Sequence, residues 1–232
     1  MIYTVSEICK QVRIAMDENG VDEKLLSAGD ADTLELDEII KSKIEEGIKA
    51  VEMAAPVFML HSGHCFTEDT SSDDTSNNVE ETGGESFKSG AVYWNGDGSG
   101  YIILPDDFCR LRSFKMSYWM RTVHTAISSD DPQYGLQSCE FGGIRGNVDK
   151  PVVAIVMRSL GLTLEFYSCE SEEAIVSESD YLPEPKIADG CIDVSEKCYK
   201  ACIYHIAALV LLTIGNEKLA ETLEQVSKSM IS

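Results

Sequence analysis

The sequence has few basic residues and no long apolar run. Nineteen lysines and arginines face 40 aspartates and glutamates, so the formal net charge is −21 at pH 7. Nucleic-acid affinity comes mainly from cations that neutralise phosphates, and the composition therefore disfavours tight DNA binding. The same negative field would suit a passage through which DNA slides without sticking. The longest apolar run, residues 203–214, contains His205 and is shorter than the roughly 20 residues of a membrane span.

Signals for secretion, disulfides and metals are also missing. Residues 1–7 lack a basic segment followed by an apolar one, so we expect no signal peptide. The eight cysteines form no CxxC pair and are expected to stay reduced. Cys198 and Cys202 are four apart on a predicted helix, and residues 61–65 (HSGHC) hold three potential ligands. Neither group has the further ligands that zinc requires, so we predict no metal and no cofactor.

Catalytic patterns are equally scarce. No GxSxG is present, and the carboxylates are too widely spread to single out an acid–base pair. Residues 96–100 (GDGSG) resemble a phosphate-binding loop, but no Gly-Lys-Ser/Thr follows, so a hairpin turn is expected. His205 lies on an apolar helix face and is interpreted as a core histidine. We predict that the chain is not an enzyme.

Two other functional classes stay open. A cytoplasmic α+β enzyme or small-molecule-binding domain of unknown substrate would need a pocket with convergent polar groups. A secreted or periplasmic adhesin-like module is disfavoured because no signal sequence is expected.

Helical patterns occupy both ends of the chain. Thr4 and Glu7 have capping-box spacing before a helix over 5–17 that stops near Gly20. A second helix starts at Asp32 and ends before Pro56. Two more follow Cys198, separated near Gly215. The second helix carries an apolar stripe: Leu36, Ile40, Ile44, Ile48 and Val51.

The middle of the chain is β-type sequence after an acidic segment. Residues 66–90 are rich in Thr, Ser, Asp, Asn, Glu and Gly, and we expect them to be mobile in isolation. Strands are predicted over 91–94 and 101–104, over 112–123, and as a hairpin over 151–157 and 162–167. The predicted fold class is α+β, with N- and C-terminal helices packed together and a central antiparallel region of about four or five strands. The expected segments are helices (1–60), acidic mobile loop (61–90), β-rich region (91–190) and helices (191–232), the two helical segments forming one domain.

One stretch is more specific than these patterns. Tyr101 to Leu111 reads YIILPDDFCRL and is followed by KMSYW over 115–119, a Pro-led hairpin from Pro151, and an Ala- and Leu-rich helix over 199–212. This order resembles head-to-tail connector proteins of tailed bacteriophages, of the adaptor and tail tubular protein A type, including the ring proteins of crAss-like phages. The resemblance covers about residues 32–214, and the acidic segment has no counterpart in it.

The resemblance implies a structural subunit of the virion neck, assembled in the host cytoplasm. Such a subunit forms a homo-oligomeric ring of twelve copies between the portal protein and the next tail or ring protein. DNA passes through the ring without specific binding, and no membrane is involved. The implied interface candidates are Leu104, Pro105, Asp106, Asp107, Phe108, Tyr118 and Trp119.

Overall fold

The computed structural model describes residues 1–17, 36–61, 63–67, 90–139, 141, 143–167, 169 and 173–232. The chain divides into two compact units. The helical unit consists of residues 1–62 and 184–232, and the β unit of residues 63–183. Five helices and several antiparallel sheets confirm the α+β class within the described residues.

The helical unit takes its secondary-structure elements from the two ends of the chain, and the β unit takes its elements from the continuous segment between them. In chain order the elements of both units are β1 (Ile2–Thr4), α1 (Val5–Asp17), α2 (Leu36–Ala54), a 3-10 turn (Val57–Met59), β2 (His64–Cys65), β3 (Val92–Trp94), β4 (Gly100–Ile103), β5 (Phe108–Met116), β6 (Ile127–Ser128), α3 (Pro132–Leu136), β7 (Val153–Arg158), β8 (Gly161–Phe166), β9 (Val176–Pro183), β10 (Cys191–Asp193), α4 (Tyr199–Thr213) and α5 (Glu217–Ile231).

The helical unit is built around α4, whose apolar residues surround most of the helix. Ile206, Ala207 and Leu211 are completely buried, as expected for a helix that is hydrophobic on nearly all sides. Four residues of the predicted apolar stripe of α2 are buried, namely Ile40, Ile44, Ile48 and Val51, whereas Leu36 at its start is half-buried. Gly47 lets the two helices approach closely, because a Cβ at that position would lie 2.5 Å from Cγ1 of Ile206.

A short sheet closes the helical unit at the N-terminus. Strand β1 pairs antiparallel with β10, and the terminal ammonium group of Met1 donates to Oδ1 of Asp193 at 2.6 Å. The rings of Tyr3 and Tyr199 stack with centroids 3.9 Å apart. These contacts fix the start of α1 beside the start of α4.

The β unit contains two sheets that share one aromatic core. One sheet has the strand order β2-β9-β5, and the other has the order β3-β4-β8-β7-β6. All pairs are antiparallel except β6 with β7. Phe114 and Phe166 are completely buried with ring centroids 6.0 Å apart, so the sheets pack through large apolar side chains.

The described part of the β-rich region has more strands than the four or five expected. Seven strands lie between residues 91 and 190, including β9, which the sequence analysis missed because Val176–Pro183 is largely polar. The strand expected over 112–123 ends at Met116. Val123 instead turns back to Phe114, and their backbone groups exchange hydrogen bonds of 2.8 and 2.9 Å.

Several expected features lie outside the described residues. These are the end of the first helix near Gly20, the start of the second at Asp32, and most of the acidic segment, over residues 68–89. The GDGSG hairpin turn is described and confirmed, since β3 and β4 pair antiparallel on either side of it.

Candidate assembly surface

The turn between β4 and β5 contains five of the expected interface residues. The amide of Phe108 donates to the carbonyl oxygen of Pro105 at 3.0 Å, which closes the turn. Asp106 is exposed at its apex, while Leu104 is buried and its amide donates to the carbonyl oxygen of Leu162 at 2.9 Å. The turn therefore presents a carboxylate to solvent from a fixed backbone.

Strand β9 holds the same turn in place through Tyr181. The hydroxyl of Tyr181 donates to Oδ1 of Asp107 at 2.8 Å, and its ring stacks on Phe108 with centroids 5.6 Å apart. Burial and the neighbouring carboxylate of Asp107 raise the pKa of Tyr181 to about 12. The phenol consequently remains a hydrogen-bond donor at every physiological pH.

The second expected pair, Tyr118 and Trp119, lies at the other end of β5. Eight residue steps separate Phe108 from Met116, which is roughly 26 Å along an extended strand. The structure therefore does not bring the two groups of candidates together. Trp119 is buried edge-on against Phe114, with ring centroids 5.7 Å apart, and therefore belongs to the core of the β unit.

Tyr118 has an unusual backbone conformation. Its φ is +72°, and the amide of Trp119 donates to the carbonyl oxygen of Met116 at 3.2 Å to close a turn around it. Glycine is the usual residue where a turn requires positive φ, and an L side chain in this region costs roughly 1–2 kcal/mol. The side chain of Tyr118 is 68% exposed, so burial within its own chain does not offset that cost.

Two more apolar side chains are exposed next to Tyr118. Met120 stands two residues after Tyr118 in the sequence and is 71% exposed, and Ile175 is 64% exposed. Ile175 is held beside the turn because the amide of Ser117 donates to its carbonyl oxygen at 2.7 Å, while its own amide donates to Oγ of Ser117 at 3.0 Å. We call Tyr118, Met120 and Ile175 the apolar tip of the β unit.

Sequence reasoning found only one residue of this tip. Isolated exposed apolar residues are common on protein surfaces, so Met120 and Ile175 gave no separate signal. The aromatic pair at 118–119 was the available clue. The opposite orientations of its two rings depend on the positive φ of Tyr118, which a sequence pattern of aromatic residues does not reveal.

A polar cleft in the β unit was also missed. It has a volume of about 260 Å³ and contains the buried carboxylate of Glu165 and the side chain of Arg145 on its walls. The hydroxyls of Tyr134 and Tyr167 donate to Oε2 of Glu165 at 3.1 and 2.7 Å. Nε of Arg158 donates to Oε1 at 2.9 Å.

The two tyrosines that donate to Glu165 have raised pKa values. Burial and the carboxylate of Glu165 raise the pKa of Tyr167 far above its usual range, and burial with the same carboxylate raises that of Tyr134. Both phenols therefore stay protonated and directed at Glu165. Because both oxygens of Glu165 accept hydrogen bonds from fixed donors, the network stabilises the cleft wall and does not resemble a general base awaiting a substrate.

A serine–histidine contact in the helical unit does not form a nucleophile either. Nδ1 of His61 lies 2.8 Å from Oγ of Ser195, but Ser195 is completely buried and its hydroxyl donates to Oε1 of Glu52 at 2.7 Å. The amide of Ser195 also donates to Glu52 at 2.9 Å. Glu52 thus joins the end of α2 to the segment before α4.

The potential metal ligands are placed in separate environments. His64 and Cys65 lie in β2, which pairs with β9, instead of the expected turn. Cys198 and Cys202 are both buried, and burial raises the pKa of the Cys202 thiol well above its usual value, which disfavours a thiolate ligand. Among the described residues, no cluster of three or more histidine, cysteine or acidic side chains could hold a metal ion.

Comparison with known proteins adds no family to this description. No protein-family model matches the sequence, and no curated protein matches it. Within the described part of the chain, no helix has both the length and the apolar character needed to cross a membrane. Function therefore has to be inferred from the geometry of the two units themselves.

Proposed function

We propose that the chain is a non-enzymatic structural subunit of a tailed-phage neck ring that joins the portal to the tail. The apolar tip carries this proposal, because an exposed aromatic residue in a costly backbone conformation is readily explained by a partner that covers it. The resemblance of the segment around Leu104–Phe108 to connector proteins gives the partner class.

The two ends of β5 fit a connector in a second way. The Asp106 turn at one end is polar and rigid, whereas the apolar tip at the other end is hydrophobic. A ring subunit needs different surfaces for different neighbours, and repeated heterologous contacts close a ring. In this proposal twelve copies form the ring, with the portal on one side and the next tail or ring protein on the other.

The charge of the chain is compatible with DNA passing through such a ring. A formal charge of −21 repels the phosphate backbone, and repulsion falls off over about 8 Å at physiological salt. DNA inside the lumen would therefore be repelled only where it comes close to the wall of the ring, and it would not bind there. The subunit would act in the virion neck after assembly in the host cytoplasm.

Assembly with the portal protein of the same virion tests the proposal. We expect size-exclusion chromatography and electron microscopy to show a portal-bound ring of this chain. Tyr118→Asn, which removes the ring but tolerates positive φ, should weaken assembly at least tenfold, since buried aromatic anchors dominate interfaces.

Met157→Ser is the matched control. Met157 is 72% exposed in the same unit, on β7, and its substitution removes a similar amount of exposed apolar surface outside the tip. Equal loss of assembly in both variants would argue against a specific role of the tip. A chain that stays monomeric with portal and tail proteins together would overturn the ring proposal.

The polar cleft favours one alternative, a small-molecule-binding domain. Nε of Arg145 is buried there and has no hydrogen-bond partner among the described residues, so a ligand with an acceptor oxygen would satisfy it. A panel of metabolites tested by thermal stabilisation examines this alternative. Stabilisation that is present in the wild type and lost in Arg145→Gln would support it over the connector.

A further inference from the structure

A basic cleft lies between α1 and α2 of the helical unit. Its volume is about 680 Å³, and the first turn of α1 stands at one end of it. The N-terminus of a helix carries a partial positive charge, which adds to the cationic side chains nearby. The basic cleft is lined by Val5, Ser6, Cys9, Lys10, Arg13, Ile14, Asp37, Lys41 and Gly190.

The charge of this cleft is opposite to that of the whole chain. Three of its four charged side chains are cationic, in a protein with a formal charge of −21. Asp37, the one acid, is occupied because its Oδ1 accepts a hydrogen bond from Nε of Arg13 at 2.9 Å. Lys10 and Lys41 are exposed and form no ion pair with any described residue. The cleft therefore has two cations available for an anionic ligand.

Neighbouring acids do not neutralise these lysines directly. Glu45, one helical turn after Lys41, accepts a hydrogen bond from the amide of Ile187 at 2.8 Å. Glu7 and Glu38 stand three residues before Lys10 and Lys41, but neither lines the cleft and neither forms an ion pair with these lysines among the described residues. Ile14 adds apolar surface, 40% exposed, to the cleft wall. An acidic peptide with occasional apolar residues would match both properties.

The sequence of the chain itself contains such a peptide. Residues 67–89 include the apolar residues Val79 and Phe87. They also hold seven carboxylates and one lysine: Glu68, Asp69, Asp73, Asp74, Glu80, Glu81, Glu85 and Lys88. Recognition of acidic peptide motifs by clusters of cationic side chains is a recurring binding mode. Charge complementarity therefore favours this segment as the occupant.

We propose that the basic cleft binds the acidic segment, residues 67–89, of a second copy of this chain. The choice of a second copy rests on the proposed ring, in which each subunit has a neighbour on both sides. Every copy offers one cleft and one segment, so head-to-tail contacts around a closed ring leave none unpaired. The segment would then link adjacent subunits through contacts distinct from the apolar tip.

Peptide binding to the full chain is the first measurement. A fluorescent peptide of residues 67–89 should bind to a full-length variant in which the seven carboxylates of residues 67–89 are replaced by amides. In this variant no acidic segment competes with the peptide for the cleft. Binding should be weaker to the wild type, and raising the salt from low to physiological concentration should weaken it further. The same peptide with all seven carboxylates amidated should not bind.

Charge reversal in the cleft is the second measurement. Lys10→Glu with Lys41→Glu should weaken peptide binding by about tenfold or more, because two attractions become repulsions. The matched control is Lys200→Glu with Lys218→Glu, which changes two exposed lysines on α4 and α5 of the same unit. Equal loss in both pairs, or unchanged binding in the first pair, would overturn the cleft as the binding site.

Zero-length carbodiimide cross-linking identifies the donor of the segment. An equal mixture of ¹⁵N-labelled and unlabelled protein should give cross-links between Lys10 or Lys41 and carboxylates of residues 67–89 that contain both isotopes. Pairs of one isotope only would place the segment within its own chain and overturn the second-copy proposal. Cross-links to the acids of residues 18–35, which connect α1 to α2, would overturn it as well.

The cleft and the ring can fail separately. Peptide binding that depends on Lys10 and Lys41, together with no portal-bound ring, would leave the cleft contact standing and reject the neck function. A normal ring formed by the variant with Lys10→Glu and Lys41→Glu would reject the cleft contact between subunits and leave the neck function standing.

Discussion

At the scale of single residues, Tyr118 lets the stability of the free chain be tested separately from the proposed assembly role. The residue adopts a φ of +72° while its ring remains 68% exposed. Trp119, next in sequence, is buried and anchors the turn to the core. The proposed assembly role gives a reason for a conformation that costs energy and leaves the ring exposed to water.

Tyr118→Gly should therefore keep or increase the stability of the free chain. Glycine removes the roughly 1–2 kcal/mol cost of the left-handed conformation but loses about 0.5–1 kcal/mol through the greater freedom of the unfolded chain. We expect the free energy of unfolding, measured by urea denaturation, to be unchanged or up to about 1 kcal/mol higher. A decrease of more than about 1 kcal/mol would mean that the ring supports the fold.

At the scale of elements, α2 and α4 depend on one glycine for their close packing. Glycine inside a helix normally costs about 1 kcal/mol relative to alanine, so its presence at position 47 needs a reason. The reason is the 2.5 Å distance between a Cβ at that position and Cγ1 of Ile206. At this position the close packing of α2 against α4 outweighs the low helix propensity of glycine.

Gly47→Ala should accordingly destabilise the helical unit by about 1–3 kcal/mol, the usual effect of overpacking. Adding Ile206→Ala to Gly47→Ala removes the clash but also creates a cavity. The double variant should therefore not recover all of the stability that Gly47→Ala loses. Gly135→Ala in α3 is the matched control, since nothing lies within 4 Å of its Cβ position. Thermal unfolding of the wild type and the three variants would show the difference, and equal effects at 47 and 135 would contradict it.

His205 gives α4 a pH dependence whose sign follows from its burial. Burial lowers the pKa of His205 below its ordinary value of 6.5, although Glu224 and Glu46 oppose the shift and Lys228 adds to it. The unfolded chain therefore takes up the proton first as the pH falls. Stability contributed by the neutral histidine is complete above about pH 6.5 and is lost as the pH drops through the lower folded-state pKa.

Replacing His205 with Gln should flatten this part of the stability profile. We expect the wild type to lose more free energy of unfolding between pH 7.5 and 5.5 than His205→Gln, measured by chemical denaturation at each pH. Carboxylates titrate mainly below this window, so they affect both proteins alike. Parallel profiles for the two proteins would show that His205 does not titrate with unfolding.

Periodicity predicted the elements whose burial is regular and missed those whose burial is not. Helix α1 begins at the predicted Val5 and is helical through Asp17, the last described residue of this segment, because its apolar positions recur on one face. Strand β9 has the sequence VSESDYLP, and its polar side chains are held by partners such as Arg112, whose Nη1 donates to Asp180 at 2.7 Å. Such tertiary pairing leaves no local signal, and neither did the hydrogen bonds between Ser117 and Ile175 that place Ile175 beside the Tyr118 turn.

At the scale of the whole molecule, the charge is distributed so that one local cleft opposes the overall field. Forty acidic residues give the chain its negative potential, while Lys10, Arg13 and Lys41 converge on the basic cleft. Copies of a protein with this net charge repel one another at a distance. Association then requires short-range attraction, which the apolar tip and the basic cleft would supply at two different places.

The same overall field predicts how the chain treats DNA. At 50 mM salt, where electrostatic contacts with phosphates are strongest among ordinary assay conditions, we expect no electrophoretic shift of double-stranded DNA at micromolar protein. Three cations in one cleft are too few to outweigh 40 carboxylates. A basic DNA-binding protein serves as the positive control. A shift that weakens as salt rises would reveal a cationic DNA-binding face and would contradict a passage that works by repulsion, because counterion release would then drive binding.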